Sequence, residues 1–399
     1  MLKQIMDSLA KNFLKFQAKT TPRPLSLSIK KAKGSYITTT NGKKYLDLVA
    51  GVSACGLGHS HPKIISAIRK QSKKYMHVMV YGEFAQEPAV NFCKELIELL
   101  PENHEKVYMT NSGTEAIEGA IKLAKKATGR SQLIGAYNSY HGSTHGALSL
   151  LGLENQKKGY RPLLPNISFI NFNVEKDLDK ITTNTAAVIL ETIQGGAGFI
   201  LPKFNYLSKV KSKCEEVGAL LILDEIQPGF GRTGRFFGFE NFNVNPDIVV
   251  MGKGMGGGLP VGAFTASNYL MKYFEENPKL GHITTFGGNP VIAASCLANL
   301  RELRDSKIID QIESKEELFR KELDHKKINN VRGKGLMLAP ILENAETVNK
   351  LIYKCLDDGV LLFWLLWENK AIRISPPLNI KEKDIKKGCK IIREALDKI

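Results

Sequence analysis

The sequence predicts an α/β fold, a mostly parallel central sheet covered by helices on both faces, with a smaller α+β unit beside it. Three observations carry this expectation. Between about residues 85 and 270, short and continuously apolar segments alternate with helical stretches, the pattern of strands buried on both faces. A hairpin signal precedes that region. A different order of helices and strands follows residue 300.

In chain order, Leu2, Ile5, Leu9, Phe13 and Phe16 follow helical spacing. Asn41-Gly42 stands between two strand-like runs, 36–40 and 43–48, and predicts a hairpin with a two-residue turn. Apolar strands are then expected at 106–109, 133–136, 167–172, 187–190, 219–223 and 248–251. Ala116, Ile117, Ala120, Ile121 and Ala124 mark the buried face of a helix after the first of them. Past residue 300 the pattern reads helix, strand (335–341), helix (346–358), strand, strand (371–374), helix. The expected division is 1–84, an N-terminal segment packing with the C-terminal unit; 85–299, the large domain; and 300–399, a small α+β domain.

The 399 residues are 43% hydrophobic and 24% charged, a soluble composition with chain enough for a large core. The longest apolar run, 360–367, is far too short to cross a bilayer, and the N-terminus lacks a signal-peptide core, so a cytoplasmic protein without membrane contact is expected. Six cysteines, each more than thirty positions from the next, leave no local CxxC motif and suit reduced, buried thiols. The net charge of +16 is spread along the chain with no basic run interleaved with aromatics, which argues against a nucleic-acid interface.

Lys253 closes the apolar run 247–253 and is followed at once by Gly-Met-Gly-Gly-Gly-Leu-Pro. Asp224 and Glu225 close another, 219–223. An amine and a carboxylate at the ends of buried strands suit Schiff-base chemistry: the lysine holds a carbonyl cofactor and the carboxylate keeps the far end of its ring protonated. Ligands of doubly wound sheets bind outside the carboxyl ends of the strands. There, Thr110-Asn-Ser-Gly-Thr-Glu115 opens a helix, and its small residues and hydroxyls read either as an anion site or as a capping box from Ser112 to Glu115. Tyr140 and His141 follow the next strand, and the tyrosine ring is placed to stack on a planar cofactor or simply to pack. Gly-Phe-Gly-Arg-Thr-Gly at 229–234 satisfies G-x-G-x-x-G but opens no amphipathic helix, which disfavours a nicotinamide-dependent oxidoreductase. The pairs His59/His61 and His141/His145 lack a third ligand at metal spacing, and no metal is expected.

These residues resemble the class III, ω-amino-acid type, pyridoxal-phosphate aminotransferases of the acetylornithine, ornithine and 4-aminobutyrate kind. The resemblance runs through Gly58-His-Ser-His-Pro62, Asn111-Ser-Gly-Thr-Glu115, Tyr140-His-Gly142, Glu191-Thr-Ile-Gln194, Leu223-Asp-Glu-Ile-Gln227, Gly231-Arg-Thr-Gly234, Gly252-Lys-Gly254, Thr284-Thr-Phe-Gly-Gly-Asn-Pro290 and Arg373-Ile-Ser-Pro-Pro377. It implies the fold-type I architecture, with the chain termini forming the small domain. It also implies transamination between an ω-amine or amino-acid donor, of acetylornithine or ornithine type, and a 2-oxo acid, expected to be 2-oxoglutarate. An aminomutase or racemase of the same family is the alternative.

Carried over by position, the resemblance makes Lys253 the covalent anchor and proton carrier, Asp224 the partner of the pyridine nitrogen, Gln227 a neighbour of the ring hydroxyl and Tyr140 the stacking ring, with His141 beside it. Ser112, Gly113 and Thr114 would bind the phosphate, joined by Thr285 of a neighbouring subunit, which implies a homodimer with shared active sites. Glu191 and Arg373 match a switch in which the glutamate masks the arginine for ω-amines and releases it for α-carboxylates. Thr284 and Ser143 would face the substrate. Where many relatives place an arginine for the distal carboxylate, this chain has Ser143, and Val52 replaces a tyrosine of the ornithine enzyme. Arg161 or Lys158 are then the candidate replacement cations. Trp364 and Trp367 are expected in the core or at the entrance.

Overall fold

The computed structural model describes residues 7–79 and 83–399. Leu2 and Ile5 lie outside the described residues; the helix they were expected to begin is present over Ser8–Phe16, where the Asp7 carboxylate accepts the Ala10 N–H at 2.9 Å. Next come β1 (Ile29–Lys33), β2 (Tyr36–Thr39) and β3 (Lys44–Asp47), an antiparallel meander. Its second turn has three residues, not the two expected. Thr39 and Lys43 close the ladder around Thr40, Asn41 and Gly42, and Gly42, at φ +85°, supplies the left-handed residue such a loop requires.

Seven strands form the central sheet: β4 (Lys106–Thr110), β5 (Gln132–Ala136), β6 (Ile167–Ile170), β7 (Thr185–Glu191), β8 (Leu220–Asp224), β9 (Ile248–Gly252) and β10 (Gly262–Ala266), in the order β4-β10-β9-β8-β7-β5-β6. The six expected strands are all there. The seventh, β10, runs antiparallel to both β4 and β9. Its sequence, Gly-Ala-Phe-Thr-Ala, carries no aliphatic branched residue and hides from an apolar-run reading, yet every residue in it is buried. Helix Gly113–Thr128 covers one face of the sheet, its small residues Ala116, Gly119, Ala120 and Ala124 allowing close approach; a Cβ on Gly119 would lie 2.4 Å from the Phe264 ring on β10.

The remaining strands are β11 (Asn330–Lys334), β12 (Met337–Ile341), β13 (Val360–Leu361), β14 (Phe363–Trp364) and β15 (Ile372–Arg373). β11 and β12 form a hairpin, and β14 pairs with β15. β13 pairs in parallel with β3, so the N-terminal meander is completed by a strand from the far end of the chain. Helices Ala345–Asp357 and Glu382–Asp397 cover this part, the second burying Ile385, Cys389, Ile392 and Leu396 at helical spacing. Among the described residues no helix is long and apolar enough to cross a membrane.

Candidate active site

The chemistry-bearing residues stand at the carboxyl edge of the sheet. Glu191 ends β7 and Asp224 ends β8; the two are register partners in neighbouring parallel strands. Lys253 follows the last residue of β9, Tyr140 and His141 follow β5, and Ser112 follows β4. Lys253 opens a 3₁₀ turn, Lys253–Gly256, whose carbonyls are gripped from behind by helix Pro290–Asp305: Asn299 donates to Gly254 O at 2.9 Å and Ser295 to Gly256 O at 2.8 Å. Lys253 itself sits at φ +43°, a left-handed conformation that costs a side-chain-bearing residue roughly 1–2 kcal/mol. Surrounding packing holds the strain, as it does at many functional sites.

Tyr140, His141, Glu191, Asp224 and Lys253 border one cavity of about 460 Å³, lined also by Val52, Gly113, Thr114, Ser143, Gln227 and Arg373. Burial depresses the Lys253 amine below its ordinary value; the nearby Arg373 charge adds to this, while Asp224 and Glu191 oppose it. A neutral amine is the nucleophilic form. Asp224 Oδ2 meets His141 Nδ1 at 2.8 Å, and Oδ1 accepts the Ile226 N–H at 2.9 Å. Burial works against charge on His141, but the bond to Asp224 and the fields of Asp224 and Glu191 win and raise it. Asp224 is therefore oriented by the imidazole of His141.

Glu191 is buried, and desolvation pushes its carboxyl up to about 7, with Asp224 adding to the rise and His141 and two N–H donors opposing it. Those donors are Tyr140 N to Oε1 at 2.9 Å and Gly195 N to Oε2 at 2.8 Å. Arg373, on β15, is 4% exposed and pushed down to about 10 by burial. Its Nε lies 3.5 Å from Trp364 O, its guanidinium stands over the Phe199 ring at 5.5 Å, and Nη1 is buried without a hydrogen-bond partner. A buried guanidinium with an unspent donor can pair with a carboxylate.

The start of helix Gly113–Thr128 is shaped for an anion. Ser112 Oγ accepts the Glu115 N–H at 3.3 Å, while the Glu115 carboxylate reaches past Ser112 to Asn111 N at 2.7 Å, so only half of the expected capping box forms. Gly113 packs against Ile226, 2.6 Å from where a Cβ would sit. Gly142, at φ +134°, leaves only 2.2 Å between its missing Cβ and Thr114 Oγ1. Any larger residue at either position would fill this cradle. A phosphate fits the small-residue helix start, and a protonated ring nitrogen fits Asp224; Lys253 supplies an amine to a carbonyl.

Ser112, turned to its cap, does not line the cavity. Neither does Thr284, whose hydroxyl is taken by Asn111 Nδ2 at 3.1 Å and Gly287 N at 2.8 Å, nor Thr285, which is exposed on this chain. Gln227 lines it, with Nε2 donating to Ser53 Oγ at 3.3 Å, and Ser143 lines it, 3.2 Å from the Tyr140 hydroxyl. Arg161 and Lys158 are not among the lining residues; Arg161 forms a two-pronged pair with Glu154 instead. Trp364 lines the cavity, whereas Trp367 stands behind Gly196, whose Cβ would lie 2.8 Å from the indole nitrogen. The histidines read as pairs are parted: His59 binds Asp47 at 2.7 Å and His61 faces Glu302 at 3.9 Å.

Sequence reasoning missed the turn that carries Val52. Ala50, Gly51, Val52 and Ser53 all have positive φ, between 51° and 69°, a left-handed turn in which a β-branched valine is rare. It delivers Val52 to the cavity and Ser53 to Gln227. No local signal other than Gly51 marks it.

The class III aminotransferase family profile matches residues 17–396. The chain is 39% identical to an acetylornithine aminotransferase of Clostridium acetobutylicum over 386 residues, covering 93% of this chain and 96% of that one. It is 33% identical to a LysW-aminoadipate semialdehyde/glutamate semialdehyde transaminase of Sulfurisphaera tokodaii over 375 residues, 93% and 95% of the two chains. Among solved structures it resembles the ornithine aminotransferase of Toxoplasma gondii, described with partial occupancy of PLP at its active site, at a TM-score of 0.90 and 27% identity, covering 98% of this chain and 94% of that one. With Lys253, Asp224 and Arg373 gathered on one cavity of a fold-type I α/β scaffold, the chain belongs to the class III aminotransferases, enzymes that depend on pyridoxal phosphate.

Proposed function

We propose that this aminotransferase works as a cytoplasmic homodimer, moving an amino group from an ω-amine or amino-acid donor to a 2-oxo acid such as 2-oxoglutarate, with Lys253 as the catalytic amine. The observation that carries the reading is the convergence of a desolvated lysine, a histidine-backed aspartate and an arginine with an unspent donor on one cavity. Bound pyridoxal phosphate supplies an electron sink for the bond cleaved at the substrate carbon.

The side chains do the rest. Lys253 would hold the cofactor through its carbonyl carbon, and its amine would carry a proton to and from the reacting carbon. Asp224 would pair with the cofactor's ring nitrogen and favour its protonated form, and His141 holds Asp224 in place at 2.8 Å. Tyr140 would cover one face of the ring and Gln227 would approach the ring hydroxyl, both from the cavity lining. The helix start at Ser112, Gly113 and Thr114 would take the phosphate. Arg373 grips the α-carboxylate of the 2-oxo acid, and Glu191 screens it when the donor brings none. Ser143 faces the substrate side from the cavity lining, while Thr284, which does not line this chain's cavity, braces the loop that also carries Thr285.

Exposed Thr285, together with exposed Met76, Met79, Leu280, Ile283 and Phe286, supports a second copy of the chain on that face, completing the phosphate site. Subunit mixing tests both ideas at once. Lys253→Ala and Thr285→Ala proteins are each expected to be weak alone, and a hybrid dimer contains one unaltered site only if the threonine crosses the interface. Mixing that restores no activity above the sum of the parents would rule out the shared site.

A further inference from the structure

Behind the helix start assigned to the phosphate runs a short chain of side-chain hydrogen bonds. Glu118 lies one turn along helix Gly113–Thr128 from Thr114, on the same face, and meets the segment that follows Tyr140 and His141. Its Oε1 accepts the Ala147 N–H at 3.0 Å and the Thr144 hydroxyl at 2.5 Å. Thr144 Oγ1 in turn lies 2.7 Å from Thr114 Oγ1, and Thr144 N donates to that same Thr114 oxygen at 3.4 Å. Thr114 lines the cavity, whereas Thr144 and Glu118 are not among its lining residues. Two glycines let the segment lie this close. A Cβ on Gly142 would stand 2.2 Å from Thr114 Oγ1, and one on Gly146 would stand 2.1 Å from Glu118 Oε2.

Counting protons gives this chain a direction. A carboxylate accepts and never donates, and each threonine hydroxyl has a single proton. The Thr144 proton is spent on Glu118, so the proton between the two threonines must belong to Thr114. The Thr114 hydroxyl therefore points its proton away from the cavity and leaves only lone pairs on the cavity side. A phosphate, itself rich in acceptors, gains no hydrogen bond from an oxygen presented in that way.

We infer that Glu118 is a positioning residue for the cofactor's phosphate: by way of Thr144 it turns the Thr114 hydroxyl proton away from the cavity, so that Thr114 offers the phosphate its main-chain N–H alone. This rests on the phosphate assignment above and deepens it. The hydroxyl instead ties the helix start to the segment 142–147, which continues from Tyr140 and His141.

The test measures, by equilibrium dialysis on the full chain, the affinities for pyridoxal phosphate and for pyridoxal, which lacks the phosphate; their ratio isolates the phosphate's share. Thr114→Val alone is expected to lower that ratio by less than about threefold. With Thr144→Val or Glu118→Ala already in place the hydroxyl is free to turn to the phosphate. The same Thr114→Val is then expected to cost about tenfold or more, the worth of a hydrogen bond to a charged group. In a Glu118→Gln background the cost should be small again, because the amide oxygen still accepts from Thr144 and Ala147. A merely structural role for Glu118 would move pyridoxal and pyridoxal phosphate together. A tenfold loss from Thr114→Val alone overturns the inference, as does an equal cost in every background; Thr144→Val, matched in shape, keeps the comparison open if Glu118→Ala fails to fold. Neutron diffraction from deuterium-exchanged crystals of the cofactor-free protein should find the Thr114 deuterium directed at Thr144 Oγ1, and one pointing into the cavity also overturns it. If the unaltered protein holds pyridoxal phosphate no better than pyridoxal, the phosphate assignment fails, and the neutron map still decides the direction of the chain.

Discussion

Glu191 and Arg373 face the same cavity without forming an ion pair. Both oxygens of the glutamate are held by N–H groups of Tyr140 and Gly195, and Arg373 Nη1 is left with no partner. The structure thus shows the arginine open. Replacing it with methionine removes a charge-assisted grip worth about 1.5–3 kcal/mol, so Arg373→Met is expected to raise KM for the 2-oxo acid about 10- to 150-fold with a smaller change in kcat. Steady-state kinetics with the acceptor varied will show it, and an unchanged KM removes Arg373 from acceptor binding.

Lys253→Ala deletes the one amine at the cavity floor. Loss of a positioned proton carrier costs roughly 10²–10⁴-fold in kcat, and loss of the covalent anchor adds to it. Asp224→Asn is expected to lose rate as well and, because His141 is raised chiefly by Asp224, to return the imidazole toward its neutral form. Single-turnover rates and the nitrogen-15 shifts of His141 report the two effects separately. An imidazole still charged in the asparagine variant contradicts the assignment.

Gly142→Ala places a methyl group where 2.2 Å separates the Cβ position from Thr114 Oγ1, at φ +134°. The backbone penalty alone is about 1–2 kcal/mol, and the clash falls on the helix start assigned to phosphate. The variant should melt earlier and release pyridoxal phosphate at lower dilution than the unaltered protein, read by calorimetry and by equilibrium dialysis. Wild-type retention of the cofactor would place the phosphate elsewhere.

His59 gives a pH signature. The Asp47 carboxylate at 2.7 Å, helped by the Cys55 thiol and partly offset by burial, raises it from 6.5 to about 10. The folded protein then binds a proton that the unfolded chain releases near 6.5. Its stabilisation is complete below that pH and is lost as the pH climbs through about 10. The melting-temperature difference between wild type and His59→Gln should narrow steadily over that interval. A difference independent of pH would show that His59 is not held charged.

The six expected strands were legible because each was a short, mostly apolar run between helical stretches, and Asp224 and Lys253 were legible because one ends such a strand and the other directly follows one. β10 was not, since its burial comes from neighbours on both sides and not from its own composition. The hairpin turn was found but its length was not, because the choice between two and three residues depends on ladder register. The left-handed turn at Val52 and the pairing of His59 with Asp47, twelve positions apart, exist only through tertiary packing. Arg161 looked like a spare cation in sequence, and a nearby glutamate had already claimed it.

The pairing of β13 with β3 sets a timetable for the newborn chain. Leu46 and Asp47 must wait for Val360 and Leu361, about 300 residues later. At roughly 5–20 residues per second, that is about 15–60 s during which the open edge of β3 is uncovered on the ribosome. Asp47 ends that edge, the left-handed turn lies just beyond it, and Arg373 follows β13 within the same closing stretch of the chain. The cavity therefore cannot be assembled progressively: Phe363, Trp364, Leu366 and Arg373, which complete its lining, arrive together in the last moments of synthesis.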